Sequence, residues 1–299
     1  MDIQAQQRTR QGVIFAIMAY TMWGISPIYF KALGAVPASE ILMHRIIWSF
    51  FLLAGLIHFG RGWYSVREVL KNKTKLVYLF SSSILIGLNW LIFIWAINSN
   101  HMLEASLGYY INPLINILLG MIFLQERLRI VQWIAVILAF LGVAIELIAF
   151  GSIPYISFAL ACSFGAYGLL RKKVNLDAQT GLFIETLFLV PLTIIYWVFF
   201  AHSDTSNLFN NSLSLNTLLI LAGLVTTAPL LCFTGAATRI KLTTLGFFQY
   251  IGPSLMFILA ITVYGEHLSM NKIITFVFIW AALMIFSFDG IKKSMVDRK

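Results

Sequence analysis

The chain has 299 residues, of which 60% are hydrophobic and 11% are charged, and its mean hydropathy is +0.86. This composition excludes an ordinary soluble domain, because a soluble core of this size needs far more polar surface to cover it. The formal net charge of +9 raises the question of nucleic-acid binding, which the positions of the basic residues answer.

The apolar residues fall into ten blocks, each close to the roughly 20 residues that a helix needs to cross a bilayer. Strands of a membrane barrel need only about 9–11 residues, so the blocks predict helices. We therefore predict an all-α integral membrane protein with ten transmembrane helices and no soluble catalytic domain. The first block lacks a small-residue cleavage site and is expected to remain as a helix. The predicted spans cover approximately 12–31, 40–58, 76–98, 104–124, 130–149, 153–170, 181–200, 216–237, 244–264 and 273–291.

The basic residues lie mainly at one end of these spans. With a cytoplasmic N-terminus, 18 of the 21 Lys and Arg residues lie on the cytoplasmic side, Lys31 and Lys272 lie outside, and Arg45 lies within a span. Such an excess of positive charge on the inner side orients membrane proteins, so both termini are predicted to be cytoplasmic and nucleic acid is not an expected partner. The cytoplasmic set is Arg8, Arg10, Arg61, Arg67, Lys71, Lys73, Lys75, Arg127, Arg129, Arg171, Lys172, Lys173, Arg239, Lys241, Lys292, Lys293, Arg298 and Lys299.

Spans 1 and 3 each carry aromatic and polar groups. Trp23 lies in span 1 near Pro27, which is predicted to kink that helix, and Asn89 lies beside Trp90 near the centre of span 3. A buried indole needs a partner for its N–H group, and an amide beside it suits a partly polar cavity lining. Packing between helices explains any one of these residues equally well, so the cavity prediction depends on several spans together.

Spans 4 and 9 each contain a proline in an apolar run. Pro113 and Pro253 remove a backbone donor, and lipid cannot satisfy the carbonyl that loses its partner. We predict that both kinked helices line a central cavity. The alternative is that proline only curves the helix while nearby amides bond to adjacent spans. The candidate lining residues in these two spans are Tyr110, Asn112, Gln249 and Tyr250.

Ionisable residues within spans are costly by at least a few kcal/mol, which makes His44, Arg45 and Glu185 notable. Arg45 and Glu185 are predicted to lie at similar depths from opposite faces, which leaves on the order of 15 Å between their levels and argues against a direct pair. The preferred partner of Arg45 is Glu104, and the preferred partner of Glu185 is Arg171 or Arg239. Arg45 and Glu185 are candidates for gate or substrate-access roles, with structural ion pairs or snorkelling as the alternative.

The remaining carboxylates and thiols have simpler explanations. Glu146 lies near the outer end of span 5, where it either reaches the interface or couples transport to protons. Glu126 and Glu266 precede spans 5 and 10 and are expected to stabilise the N-terminus of the helix that follows. Cys162 and Cys232 lie inside spans and are expected to be packing residues, so no metal site or disulfide is predicted.

The chain contains an internal repeat whose two copies align without gaps at one constant offset. Residues 1–150 and 151–299 would each hold five spans, and this odd number makes the second copy enter the membrane from the opposite face. Inverted repeats of this kind are typical of secondary transporters, whose substrate site lies near the membrane midplane where the repeats meet. The aligned pairs include Tyr110 with Tyr250, Pro113 with Pro253, and Glu126 with Glu266.

Four segments carry a family resemblance: WGISPIYFK (23–31), HRIIWSF (44–50), NWLIFIWAINSNHMLEASLGYYINPL (89–114) and TLGFFQYIGP (244–253). They resemble the RarD proteins, which belong to the EamA branch of the drug/metabolite transporter superfamily, and the likeness extends over essentially the whole chain. The resemblance implies a multi-pass protein of the bacterial inner membrane. It also implies ten helices in two inverted five-helix repeats around a central cavity.

These patterns favour a secondary transporter that moves a small organic solute or drug by alternating access, in the direction of export. The sequence contains no GxxxxGK[ST] loop for ATP, and no HExxH or GxSxG motif, so an enzyme and a cofactor are not expected. An intramembrane enzyme and a receptor or scaffold without flux are the alternatives. The expected partners are the small-molecule substrate and the lipid bilayer, and a homodimer is compatible with the sequence.

Overall fold

A computed structural model describes residues 3–99, 101–265 and 270–296. Within these ranges the chain forms helices joined by short turns, with no strand. The helices described are α1 (Ile3–Ala32), α2 (Ala38–Phe59), α3 (Trp63–Lys71), α4 (Lys73–Asn98), α5 (Met102–Leu124), α6 (Ile130–Phe150), α7 (Tyr155–Val174), α8 (Ala178–Phe200), α9 (Leu213–Ala237), α10 (Leu242–Gln249), α11 (Ile251–Thr262) and α12 (Met270–Val296).

The predicted all-α membrane class is confirmed. In the described ranges, nine segments are long and apolar enough to cross a bilayer, and α10 and α11 together form one of them. The sixth predicted span, 153–170, corresponds to α7, which is not among the nine. Its last turn carries Arg171, Lys172 and Lys173. The count of ten spans and the cytoplasmic location of both termini stay predictions.

Helix α3 lies in the connection between spans 2 and 3, where no helix was predicted. It has nine residues and buries Val66 and Val69 on one face, while Arg67 and Lys71 are exposed. Its Trp63 ring contacts Phe183 of α8 edge-on, with ring centroids 5.5 Å apart. Nine residues are too few to cross a bilayer, so α3 covers one end of the bundle.

The three prolines predicted to kink helices have different surroundings. Pro27 and Pro113 lie inside the continuous helices α1 and α5. Pro253 follows an interruption at Tyr250, where α10 ends and α11 begins. A proline ring clashes with the carbonyl four residues earlier and cannot donate to it, and for Pro253 that carbonyl belongs to Gln249. The break therefore lies at the turn in which Pro253 removes a backbone hydrogen bond.

Close packing between helices depends on glycines at the crossing points. A Cβ atom on Gly246 of α10 would lie 2.7 Å from the carbonyl oxygen of Pro113 on α5. A Cβ atom on Gly223 of α9 would lie 2.5 Å from the backbone carbon of Trp48 on α2. Small residues let backbones approach closely, which is the common way for helices to associate in lipid.

The helices pack in a regular pattern. α6 packs against α12, α5 against α10, and α2 against α8. α1 packs against α9 and α11, while α7 packs against α4 and α5.

The helices also begin at a regular spacing along the chain. The starts of α2 and α8, at Ala38 and Ala178, are separated by the offset that aligns Tyr110 with Tyr250 in the sequence. The same offset separates the start of α4 from that of α9, and the start of α5 from that of α10.

Candidate functional site

Helices α5 and α10 meet through side chains that the sequence singled out. Asn116 donates from Nδ2 to Oε1 of Gln249 at 2.6 Å, and the Tyr250 hydroxyl donates to the Tyr110 carbonyl oxygen at 3.3 Å. Gln249 and Tyr250 are buried, as is Asn112 one turn before Asn116. The oxygen atoms Oδ1 of Asn112 and Asn116 have no hydrogen-bond partner in the part of the chain that the structure describes.

Asn116 was not predicted, although a signal for it was present. It lies four residues after Asn112, and residues spaced by four share one face of a helix. The amides of Asn112, Asn116 and Gln249, together with Tyr110 and Tyr250, form a polar seam between the otherwise apolar helices α5 and α10. The seam joins the two members of an aligned pair, because Tyr250 bonds to Tyr110.

Trp23 and Asn89 contact α7. The Trp23 ring packs against the rings of Tyr20, Phe164 and Phe233, with centroids 5.7, 5.8 and 5.9 Å away. Asn89 donates from Nδ2 to the Leu160 carbonyl and to the Ser163 hydroxyl, both at 2.9 Å. The amide of Asn89 is therefore used in holding α4 against α7.

Arg45 lies among residues from four other helices. Its Nε donates to the Thr226 hydroxyl of α9 at 2.8 Å, and its guanidinium carbon lies 5.0 Å from the ring centre of Trp90 on α4. The guanidinium carbon also lies 5.6 Å from the ring centre of Phe30 on α1. Tyr109 of α5 is close enough to interact with it electrostatically. Arg45 is partly exposed.

The predicted pairing of Arg45 with Glu104 is wrong. Glu104 accepts a hydrogen bond from the backbone N–H of Ile156 at 2.8 Å, at the start of α7, and lies 3.7 Å from Nδ1 of His101. Over the described ranges, Arg45 forms no ion pair with a carboxylate. Its guanidinium group instead contacts the Thr226 hydroxyl and the aromatic rings of Phe30 and Trp90.

Glu185 lies in a fully buried polar cluster joining α4, α7 and α8. Its carboxylate lies 3.5 Å from Nη1 of Arg171 and accepts hydrogen bonds from the hydroxyls of Ser82 and of Tyr167, the latter at 3.3 Å. Arg171 and Glu185 are 0% and 2% exposed. Of the two partners considered for Glu185, the structure selects Arg171, since Arg239 donates to the Gly235 carbonyl at 2.9 Å.

A cavity of about 320 Å³ lies between α5, α6, α11 and α12. Of the residues predicted to line a cavity or kink a helix, Tyr110 and Pro253 border it. Glu146 and Lys272 contribute charged groups, and Tyr109 borders the cavity as well as interacting with Arg45. A much smaller void of about 10 Å³ lies beside Trp90, between α2, α4, α8 and α9.

Comparison with known proteins identifies the family. A family model described as the EamA-like transporter family matches residues 10–148. An uncharacterized transporter of Vibrio cholerae serotype O1 is 62% identical, over 98% of this chain and 97% of its own. Protein RarD of Salmonella typhimurium is 59% identical over 95% and 97% of the two chains, and that of Escherichia coli K12 is 57% identical over 95% and 96%.

The chain belongs to the EamA transporter family, among its RarD proteins. It is thus a multi-pass transporter of the bacterial inner membrane. A solved crystal structure of another protein aligns with this EamA chain at a TM-score of 0.72, covering 96% of this chain and 98% of the other. The two sequences are 15% identical, so this likeness concerns the fold alone.

Glu126 of this EamA transporter caps a helix, but a different one from the helix predicted. Its two carboxylate oxygens accept from the backbone N–H groups of Leu242 and Thr243, each at 2.8 Å, at the start of α10. Lys172 lies 3.8 Å from the same carboxylate. At the start of α6, the helix that follows Glu126, the Gln132 side-chain oxygen instead accepts from the backbone N–H of Arg129 at 3.0 Å. The prediction for Glu266 falls outside the described residues.

The described residues contain no group of three or more His, Cys, Asp or Glu side chains that could hold a metal ion. Cys162 is exposed and Cys232 is half-buried, and both are free thiols.

Proposed function

We propose that this protein is a secondary transporter that exports a small organic solute by alternating access between two inverted halves, residues 1–150 and 151–299. Membership of the EamA family makes it a transporter. The mechanism is inferred from the arrangement of the helices, and export is the direction predicted from the sequence.

The spacing and packing of the helices support two related halves. One constant offset separates the starts of α2, α4 and α5 from those of α8, α9 and α10, and α2, α5 and α6 each pack against their own counterpart. The contacts of α1 with α9 and α11 match those of α7 with α4 and α5. Two halves that repeat each other's contacts can exchange conformations, which is the basis of alternating access in inverted-repeat transporters.

The observation that carries the proposal is the polar seam between α5 and α10. The tyrosines of the aligned pair, Tyr110 and Tyr250, bond to each other, and the α10–α11 helix is interrupted at this point. Interrupted helices at the interface between repeats are where such transporters bind and move their solutes. The seam therefore supports a hinge and a solute path at the middle of the bundle.

The two ends of the bundle are packed differently. On the predicted outer side the bundle contains the 320 Å³ cavity beside Tyr109 and Glu146. On the predicted cytoplasmic side, Arg171 and Glu185 are buried together, and Phe247 stacks on Phe286 with ring centroids 3.9 Å apart. This difference supports a state that is closed towards the cytoplasm, and transport would require the Arg171–Glu185 contact to open.

Counterflow in proteoliposomes tests the proposal. Purified full-length protein is reconstituted with an excess of unlabelled solute inside, and entry of labelled solute is followed, using compounds that raise the melting temperature of the protein in a screen of metabolites and antibiotics. We expect transient accumulation above equilibrium, and none in protein-free vesicles. Chemical conversion without flux would support an enzyme instead, and saturable binding without flux would support a receptor.

A further inference from the structure

The two halves differ in charge at matching positions. In the alignment that pairs Tyr110 with Tyr250, Arg45 and Lys31 of the first half fall on Glu185 and Arg171 of the second half. In the second half the two residues have opposite charges and form the buried ion pair between α7 and α8. In the first half both residues are cations, so this level of the bundle lacks the negative charge that its counterpart has.

The nearby carboxylates of the protein are engaged elsewhere. Glu104 binds the start of α7 and faces His101. Glu40 accepts hydrogen bonds from the hydroxyls of Ser203 at 2.7 Å and Thr205 at 2.9 Å. Glu146 interacts with Lys272. None of these groups neutralises Arg45 in the described structure.

The guanidinium of Arg45 is free to bind an anion. Its Nε is used by Thr226, and no described acceptor lies within hydrogen-bond distance of its two Nη atoms. A guanidinium presents paired N–H groups in the geometry that a carboxylate accepts. The ring faces of Trp90 and Phe30 beside it provide apolar contact for the rest of a bound molecule. Lys31, whose Nζ lies 3.7 Å from the ring centre of Tyr264, adds a second positive charge to this half.

We propose that the transported solute is a small organic anion with an aromatic or apolar body, and that its carboxylate binds Arg45. The solute then supplies to the first half the negative charge that Glu185 supplies to the second. This inference rests on the proposed transport function and names the class of solute.

Matched pairs of compounds test this inference. Full-length protein in nanodiscs is titrated with benzoate, phenylacetate and indole-3-acetate, with the corresponding neutral amides, and with phenethylamine as a cation, while its melting temperature is measured. We expect at least one carboxylate to raise the melting temperature saturably, and its amide to have no effect at a tenfold higher concentration. Equal responses to acid and amide, preference for the amine, or no response to any carboxylate would overturn the inference.

Variants then locate the site. Arg45→Gln should weaken binding of the active carboxylate by at least about tenfold, because a charge-assisted pair is lost. Arg45→Lys should retain weaker binding, since it keeps the charge and loses the paired geometry. Arg127→Gln, which removes an exposed arginine elsewhere, should leave affinity unchanged. Undiminished binding by Arg45→Gln would contradict the assignment, and the melting temperature of each unliganded variant shows whether it is folded.

The outcomes separate this inference from the transport proposal. If a carboxylate binds through Arg45 but neither it nor any other tested compound shows counterflow, the transport proposal fails and the anion site stands. If an amine or a neutral compound shows counterflow and no carboxylate does, transport stands and the anionic solute is ruled out.

Discussion

Arg171 and Glu185 form an ion pair that is buried yet incompletely bonded. The charged atoms are 3.5 Å apart, and Nε and Nη2 of Arg171 have no partner in the described structure. The free-energy cost of removing two charges from water is offset only when the two groups are well paired and their remaining polar atoms are hydrogen-bonded. The pair therefore holds α7 to α8 while leaving two donors unsatisfied, which suits a contact that opens during a cycle.

Glu185→Gln should destabilise the protein by about 3–5 kcal/mol, because it leaves the buried charge of Arg171 without a counter-charge. Thermal unfolding in detergent, compared with the wild type, measures the loss. Replacing both residues, as in Arg171→Leu with Glu185→Leu, should recover part of it because no buried charge remains.

The matched control is Glu68→Gln. Glu68 pairs with Lys71 at 3.6 Å on the exposed face of α3, so its loss should change stability by no more than about 0.5 kcal/mol. Equal losses of stability for Glu68→Gln and Glu185→Gln would show that burial does not determine how much the Arg171–Glu185 pair contributes to stability.

At the scale of helices, the contact between α5 and α10 depends on the absence of a side chain at Gly246. Gly246→Ala should separate the helices, because its Cβ would lie 2.7 Å from the Pro113 carbonyl oxygen and 3.0 Å from Cγ1 of Ile117. We expect a lower melting temperature and a counterflow rate reduced by about tenfold. Gly55→Ala is the control, since nothing lies within 4 Å of a Cβ atom there. Similar behaviour of the two variants would argue against the crossing as the hinge.

The break at Tyr250 leads to a different expectation for Pro253. Pro253→Ala restores a backbone N–H that can bond to the Gln249 carbonyl, so α10 and α11 should join into one helix. Stability should rise or stay the same while the counterflow rate falls. Pro27→Ala, in a helix that is already continuous, is the control and should leave the rate within about twofold. A faster rate for Pro253→Ala would show that the interruption does not assist transport.

The helices could be predicted because bilayer thickness dictates the length of apolar blocks. The predicted span 130–149 corresponds to Ile130–Phe150, and 181–200 to Ala178–Phe200. Helix α3 was missed because its apolar residues are few and lie among charged ones. The break at Tyr250 could not be predicted from the position of a proline alone. Pro113 occupies the equivalent position in the first half, and its helix is continuous.

The partners of charged side chains were harder to predict than the depths of these side chains in the membrane. Distance along a helix axis follows from residue number, so the direct pairing of Arg45 with Glu185 could be excluded. Which side of a helix faces which neighbour depends on lateral packing, and this placed Glu104 at the start of α7. It also placed Glu126 at α10, far along the chain.

For the whole molecule, alternating access requires the predicted outer and cytoplasmic ends to open in turn. Ser106 borders the 320 Å³ cavity on the predicted outer side. Thr186, which follows Glu185 in the sequence, is buried and borders the 10 Å³ void. Ser82 donates a hydrogen bond to Glu185, so Ser82→Ala weakens the cytoplasmic cluster without leaving Arg171 unpaired.

The most direct measurement is cysteine labelling from both sides of the membrane. Ser106→Cys and Thr186→Cys are placed singly in a Cys162→Ser, Cys232→Ser background, and an impermeant maleimide is applied to right-side-out and inside-out vesicles. We predict that adding Ser82→Ala speeds labelling of the cysteine at 186 from the cytoplasmic side and slows labelling of the cysteine at 106 from outside. Faster labelling at 186 with an unchanged or faster rate at 106 would mean local loosening, and would contradict alternating access.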